Sequence, residues 1–319
     1  MTIDRHLTPA DLAASLRADV RAGLTSTPKT LPPKYFYDGQ GSELFEDITR
    51  LPEYYQTRAE ATILAERADE IADVTKARTL VELGSGSSEK THLLLRALRR
   101  IGSLESYVPV DVSADAIEWA MPGLVADYPG LDVHGVVADF ERHLHLLPSD
   151  GPRLVAFLGG TIGNFEPEHR AAFLASLGET LQPGDALLLG TDLVKDPERL
   201  VRAYDDTAGV TAAFDLNVLH VVNRELGGTF DVDRFEHVAV WDAERKWIEM
   251  RLRSRGEQRV DVRALDLSVD FADGEEMRTE VSAKFTEPRV AAELTGAGLR
   301  LAHWWTDTAG DFALSLATA

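Results

Sequence analysis

The chain reads as an α/β protein: a doubly wound, mainly parallel Rossmann-like sheet carrying a second, α+β domain. Three observations predict this. Between residues 79 and 191, apolar strand-like runs alternate with amphipathic helical stretches, the pattern of a parallel sheet covered by helices. The first run, Leu80-Val81-Glu82-Leu83, enters Gly84-Ser85-Gly86, the strand–turn–helix that opens a nucleotide-sized crevice beyond a strand's carboxyl end. Past residue 196 the texture becomes that of alternating antiparallel strands, and residues 286–319 return to the first texture.

The elements follow in order. Residues 9–24 form an amphipathic helix opened by Thr8-Pro9, with Leu12, Leu16 and Val20 at helical spacing. Prolines at 28, 32 and 33 make a stiff connector of 26–33. A helical stretch bearing Leu44, Phe45 and Ile48 breaks at Leu51-Pro52, and another runs from 57 to 74. Strands are predicted at 79–83, 106–110, 131–137, 153–158 and 186–191, with helices near 89–100, 113–127, 167–180 and 197–208. Pro183-Gly184-Asp185 marks the turn into the fifth strand. Then come a helical stretch through Tyr204 to Val218 and extended runs at 221–226, 235–242, 247–253 and 258–267. A helix at 287–297 and extended segments at 299–305 and 312–317 follow. The late return of the first texture means that the end of the chain completes the sheet. The expected domains are therefore 61–195 with 286–319, and 1–60 with the inserted 196–285.

Composition narrows the function. With 33 basic against 53 acidic residues the net charge is -20, which repels nucleic-acid backbones and anionic lipid. Zero cysteines exclude disulfides, thiolate catalysis and cysteine metal sites. The nine histidines show no trusted ligand spacing, His143 and His145 coming closest, so no metal is expected. No Gly-x-Ser-x-Gly elbow supports a hydrolase. No apolar run approaches the ~20 residues of a membrane span, and Met1-Thr2-Ile3-Asp4-Arg5-His6 lacks a signal-peptide core. A cytoplasmic, monomeric protein is expected.

Acids stand at the ends of three successive strands: Glu82, then Asp111 in Val110-Asp111, then Asp139 in Ala138-Asp139-Phe140. Together with Gly84 and Gly86 they sit where such a sheet holds its ligand. Asp111 is placed to accept from both ribose hydroxyls, and Asp139 from an adenine amine with Phe140 packed nearby. Lys90 can reach back to a ligand carboxylate or to Glu82. Glu89 occupies the third glycine place of the dinucleotide fingerprint, where its charge opposes a pyrophosphate and argues against a nicotinamide oxidoreductase. A cationic nucleoside suits the site better, and S-adenosylmethionine is the expected donor.

These sheet motifs resemble those of class I S-adenosylmethionine-dependent methyltransferases. Longer strings are more specific: 34–38 (Lys-Tyr-Phe-Tyr-Asp), 51–58, Leu158-Gly159-Gly160-Thr161-Ile162-Gly163-Asn164-Phe165, 190–196, 200–206 and Thr279-Glu280-Val281-Ser282. Across essentially the whole chain they resemble the histidine-specific Nα-methyltransferases of ergothioneine biosynthesis. That resemblance implies trimethylation of the α-amine of L-histidine to hercynine. It places Gly84, Lys90, Asp111, Asp139 and Phe140 around the donor, and Tyr54, Asn164, Tyr204, Glu280 and Ser282 around histidine. Tyr37, Phe45 and Met250 are further lining candidates. Tyr54, Asn164 and Tyr204 would grip the amino-acid end of the substrate, the residues nearest the chemistry. Glu280 and Ser282, two apart on an extended segment, share a face and could hydrogen-bond the two imidazole nitrogens. The rivals are a methyltransferase for another aromatic amino acid and a non-catalytic regulator that binds the donor.

Overall fold

The computed structural model describes residues 2–86, 90–148 and 151–319. In chain order its elements are β1 (Thr2–Arg5), α1 (Pro9–Thr25), α2 (Gly39–Arg50), α3 (Gln56–Thr75), β2 (Thr79–Leu83) and α4 (Thr91–Arg100). Next come β3 (Ser106–Asp111), α5 (Ala114–Asp127), β4 (Asp132–Val137), α6 (Phe140–His143), β5 (Arg153–Phe157), α7 (Pro167–Thr180), β6 (Ala186–Asp192), α8 (Pro197–Tyr204) and α9 (Val210–Leu226). Strands β7 (Phe235–Asp242), β8 (Trp247–Ser254), β9 (Gln258–Val262), β10 (Leu267–Phe271) and β11 (Glu276–Ala283) precede α10 (Glu287–Gly296), β12 (Arg300–Thr306) and β13 (Phe312–Thr318).

Contacts divide these into two units. Unit 1 comprises Met1–Thr8, Gln56–Val194 and Phe285–Ala319; unit 2 comprises Pro9–Tyr55 and Lys195–Lys284. The expected boundaries were 61–195 with 286–319, and they differ at two places. Helix α3 begins at Gln56 and packs its buried Ala59, Ile63, Leu64 and Ile71 into the unit 1 core. The first residues form β1, which pairs in parallel with β4, Thr2 opposite His134. A four-residue exposed edge strand carries too little apolar pattern to be read locally.

Unit 1 is an eight-stranded sheet in the order β1-β4-β3-β2-β5-β6-β13-β12. Strands β1 to β6 run parallel, while β13 is antiparallel to β6 and β12 to β13. The central β2, β5 and β6 are buried along their whole length, as strands covered on both faces must be. Chain order reverses beside β2, which has β3 on one side and β5 on the other. That switch point is where an open α/β sheet accepts its ligand, outside the strands' carboxyl ends. Arg153 and Asp185, each 2% exposed, lock the opposite end: Nε donates to Oδ2 at 2.9 Å and the Arg153 N–H to Oδ1 at 2.7 Å. The guanidinium also donates to the carbonyls of Pro148 and Thr180, so the buried charge is fully engaged.

Unit 2 packs α9 against a three-stranded antiparallel sheet ordered β11-β8-β7, beside a β9–β10 hairpin. Phe214, Val218 and Val222 of α9 share a core with Ile248, Met250, Leu252 and Met277. The connector 26–33 runs along β11, where Leu31 N–H donates to Arg278 O and Arg278 N–H to Lys29 O.

Two expectations need correction. Residues 221–226 are not extended but continue α9, which turns Val221, Val222 and Leu226 inward and stops at Gly227 in the left-handed conformation. A β-branched pair (Val221-Val222) reads as strand locally, but tertiary burial of a helical face overrides that propensity. The run 258–267 is two strands, separated by a short 3₁₀ turn over Arg263–Leu265 and by Asp266 at φ 45°.

Candidate active site

The carboxyl ends of the unit 1 strands bring the expected donor residues together. Gly84, at φ 69°, turns the chain out of β2, and a Cβ there would lie 3.7 Å from the Phe140 ring. Gly86 N–H donates to Asp111 Oδ2 at 3.0 Å, and Ser113 N–H to Asp111 Oδ1 at 2.9 Å. Burial pushes the Asp111 carboxyl above the usual range, while the backbone N–H groups of Ser113, Gly86 and Val112 pull against it. Asp139 caps α6, accepting from Glu141 N–H at 3.0 Å. Phe140 packs edge-on against Phe157 and Phe173. Glu89, the basis for disfavouring a pyrophosphate, lies outside the described residues.

Glu82 and Lys90 differ from their sequence reading. Both Glu82 oxygens accept hydroxyl hydrogens, from Thr91 and from Tyr107, so this 5% exposed acid ties the start of α4 to β3. Lys90 pairs not with Glu82 but with Glu60 of α3. Glu60 is 0% exposed and also accepts from Gly159 N–H at 2.8 Å. Its approach requires Gly190, where a Cβ would come within 2.3 Å of Glu60 Oε1. Glu60 was missed because an acid inside a helix reads as a solvated residue; only the fold of α3 onto β6 reveals it.

Asn164 ends the 3₁₀ turn Thr161–Asn164 and is half-buried. Gly159 and Gly160, at φ 76° and 72°, make the sharp exit from β5 that places it at the crevice end of the sheet. Of the histidine pair 143 and 145, His143 accepts the Asp139 N–H at its Nδ1, at 3.2 Å. Among the described residues no group of three or more His, Asp or Glu could hold a metal ion.

In unit 2, β11 pairs with β8 until a bulge at Thr279 intervenes. Glu276 and Arg278 lie opposite Arg253 and Arg251, whereas Glu280 and Ser282 lie opposite Met250 and Ile248. Cross-strand partners share a face, so the extra residue switches the even-numbered side chains from one face to the other. Before the bulge they join an ion-pair network of Arg251, Arg253, Glu249 and Glu276. After it, Glu280 and Ser282 turn to the buried face, at 8% and 5% exposure. Thr279 holds the bulge through its hydroxyl, which donates to Met250 O at 3.0 Å. Met250 therefore stands directly beside Glu280.

Tyr204, the last residue of α8, meets Ser282 hydroxyl to hydroxyl at 2.7 Å. Its backbone carbonyl accepts from His237 Nε2 at 2.7 Å, while His237 Nδ1 lies 2.7 Å from Asp215 Oδ2. A carbonyl and a carboxylate both accept, so both ring nitrogens carry hydrogen and the ring is an imidazolium. Burial alone would lower the His237 pKa, but the Asp215 hydrogen bond and charge, the Tyr204 carbonyl and the Asp205 charge together raise it. A second group gathers Tyr37, Phe45 and Tyr54 near Phe214. Ring centroids lie 5.5 Å apart for Tyr37–Phe45, 6.3 Å for Phe45–Tyr54 and 5.4 Å for Tyr37–Phe214. Sequence reasoning missed His237 and Phe214, whose spacing signals only a strand and a core helix face.

A parallel sheet with acids at adjoining strand ends around its switch point is the arrangement with which a Rossmann-like fold takes up a nucleoside-bearing ligand. The chain belongs to the family of SAM-dependent, histidine-specific methyltransferases, which it matches over residues 16–319. It is 60% identical to the histidine N-alpha-methyltransferase of Mycolicibacterium smegmatis over 317 residues, covering 99% of each chain. It is 57% identical over the same length to the Mycobacterium tuberculosis protein of that name, again with 99% of each covered. Ergothioneine biosynthesis protein 1 of Neurospora crassa is 35% identical over 207 residues, 63% of this chain and 24% of that protein.

Proposed function

We infer that this chain transfers methyl groups from S-adenosylmethionine to the α-amino nitrogen of L-histidine. Three successive transfers, through mono- and dimethylated histidine, would give hercynine, the opening step of ergothioneine biosynthesis. The observation that carries the reading is the bulge at Thr279. It turns a carboxylate and a hydroxyl of one strand onto a buried face beside Tyr204, in a chain 60% identical to an enzyme named for this reaction.

The donor residues fit a cation. Glu60, Glu82, Asp111 and Asp139 surround the crevice end of the sheet with Lys90 as the lysine among them, which favours a sulfonium over a phosphate. In this reading Asp111 accepts from the ribose hydroxyls, Asp139 from the adenine amine, and Gly84 and Phe140 flank the base. Lys90 holds the donor's carboxylate. When bound, S-adenosylmethionine supplies a methyl group on an electron-poor sulfur. The family resemblance assigns Tyr54, Asn164 and Tyr204 to the amino-acid end of histidine, whose nitrogen lone pair attacks that methyl. Glu280 and Ser282 hold the imidazole, with Met250, Tyr37 and Phe45 lining the chamber. Each transfer needs a neutral amine, so a proton leaves the nitrogen before every step. Alignment of this kind is worth roughly 7–11 kcal/mol in a displacement reaction. The enzyme is read as a cytoplasmic monomer acting without metal or nucleic acid. Among the described residues no helix is long and apolar enough to cross a membrane.

The test is mass spectrometry of histidine incubated with the purified chain and S-adenosylmethionine. Gains of one, two and three methyl groups are expected. Methylation of tyrosine or tryptophan in preference to histidine would overturn the substrate. Donor binding without any methylated product would favour a regulator.

A further inference from the structure

Glu60 of α3 is 0% exposed, and its two oxygens have separate tasks. Oε1 accepts the Gly159 N–H at 2.8 Å, and Oε2 pairs with the Lys90 ammonium. A buried carboxylate is costly unless it is both paired and hydrogen-bonded, and here the partners come from two other elements of the same unit. The pair also sets where Lys90 stands. Lys90 is the N-cap residue of α4, and the helix dipole opposes a cation at that end. Glu60 offsets that repulsion and holds the ammonium beside the exit of β5, where a Cβ on Gly159 would lie 4.0 Å from Nζ. Glu60 uses one of the three ammonium hydrogens, and the lysine side chain keeps 26% exposure, so a ligand can share the same nitrogen.

We propose that Glu60 is a positioning residue that fixes Lys90 for the carboxylate of the methyl donor. A lysine stem free to rotate loses that freedom when a ligand binds; held by Glu60, it has lost it beforehand. The task needs a carboxylate. Glutamine has one acceptor oxygen, so it can serve Gly159 or Lys90 but turns its NH₂ towards the other. Gly190 leaves the room this carboxylate occupies, since a Cβ there would overlap Glu60 Oε1. Loss of the Glu60 charge acts in the opposite sense, by leaving the ammonium unneutralised and more attractive to an anion, so the sign of the change separates positioning from charge. The inference rests on the reading of Lys90 as the partner of the donor's carboxylate.

The test measures, by calorimetry, binding of S-adenosylhomocysteine and of methylthioadenosine, which keeps the nucleoside but lacks the amino-acid tail. Four proteins are compared: wild type, Glu60→Gln, Lys90→Met and the double variant. Glu60→Gln should bind S-adenosylhomocysteine roughly 2- to 10-fold more weakly, the cost of ordering one long side chain, and hold its affinity for methylthioadenosine. Lys90→Met should lose roughly 10- to 150-fold for S-adenosylhomocysteine, again with methylthioadenosine unchanged. In the double variant Glu60 has no lysine left to position, so S-adenosylhomocysteine should bind no more weakly than to Lys90→Met. An unchanged or tighter S-adenosylhomocysteine affinity in Glu60→Gln would overturn the proposal. So would an equal loss for both ligands, the mark of a merely structural role, or a further fall in the double variant, which would mean that Glu60 acts independently of Lys90. If Lys90→Met itself binds S-adenosylhomocysteine as wild type does, the reading of Lys90 fails and this inference with it. A selective loss in Lys90→Met without one in Glu60→Gln removes Glu60 alone.

Discussion

Replacing Glu280 by glutamine and by alanine tests the histidine reading most directly. Glu280 is 8% exposed and lies opposite Met250, so an imidazole N–H brought to it would exchange water for a carboxylate in a largely dry pocket. A hydrogen bond to a charged group contributes about 1.5–3 kcal/mol. With a tenfold rate change for every ~1.4 kcal/mol, Glu280→Gln should lower kcat/KM for histidine roughly 10- to 150-fold. Glutamine keeps an acceptor carbonyl and the volume, so this measures the charge. Glu280→Ala also leaves the ring N–H without any partner and opens a hollow beside Met250. Its loss should run towards the roughly 10⁴-fold discrimination that unpaired buried groups produce. The assay is initial-rate methylation at varied histidine with saturating donor, alongside calorimetry with S-adenosylhomocysteine. Donor affinity should hold, because Glu280 is not among the residues proposed to contact the donor. If kcat/KM barely moves in both variants, the imidazole does not sit at Glu280.

Other outcomes follow from the same structure. Asp111→Ala should weaken S-adenosylhomocysteine binding roughly 10- to 150-fold through lost ribose contacts; an unchanged calorimetric affinity would remove the ribose assignment. Asp185→Ala leaves Arg153 charged and buried, at 2% exposure, and should cost about 3–5 kcal/mol in chemical denaturation; a loss under 1 kcal/mol, the scale of exposed pairs at about 0–1 kcal/mol, would contradict the pair's burial. The raised pKa of His237 gives a pH signature. Its contribution to stability is complete below the unfolded value of about 6.5 and is lost as pH rises through the higher folded value. Denaturation of wild type and His237→Gln should therefore show a stability gap that narrows with rising pH; a gap that widens would reverse the sign.

Much of the candidate donor site was legible because it depends on neighbours in sequence. An apolar run followed by Gly84-Ser85-Gly86 announces a strand, a turn and a helix, and Asp111 and Asp139 each close a run of their own. Glu280 and Ser282 were readable as partners because strand side chains repeat every two residues. Which face they share was not readable, since the answer depends on the register of β11 against β8 and on one extra residue, Thr279. Glu60 carried no signal, because an acid inside a helix reads as solvated until Lys90 and Gly159, far off in the chain, are folded against it.

Local chemistry alone thus determined the α/β class, the inserted organisation, the absence of cysteine chemistry and the strand-end acids. Each of these is set by periodicity, composition or turn residues within a few positions. Tertiary structure decided the edge position of β1, the pairing of Lys90 with Glu60, the imidazolium of His237 and the orientation of Glu280. In each case the partners lie on different elements of the fold. Their energies depend on burial and distance, which no stretch of sequence contains until the chain has closed on itself.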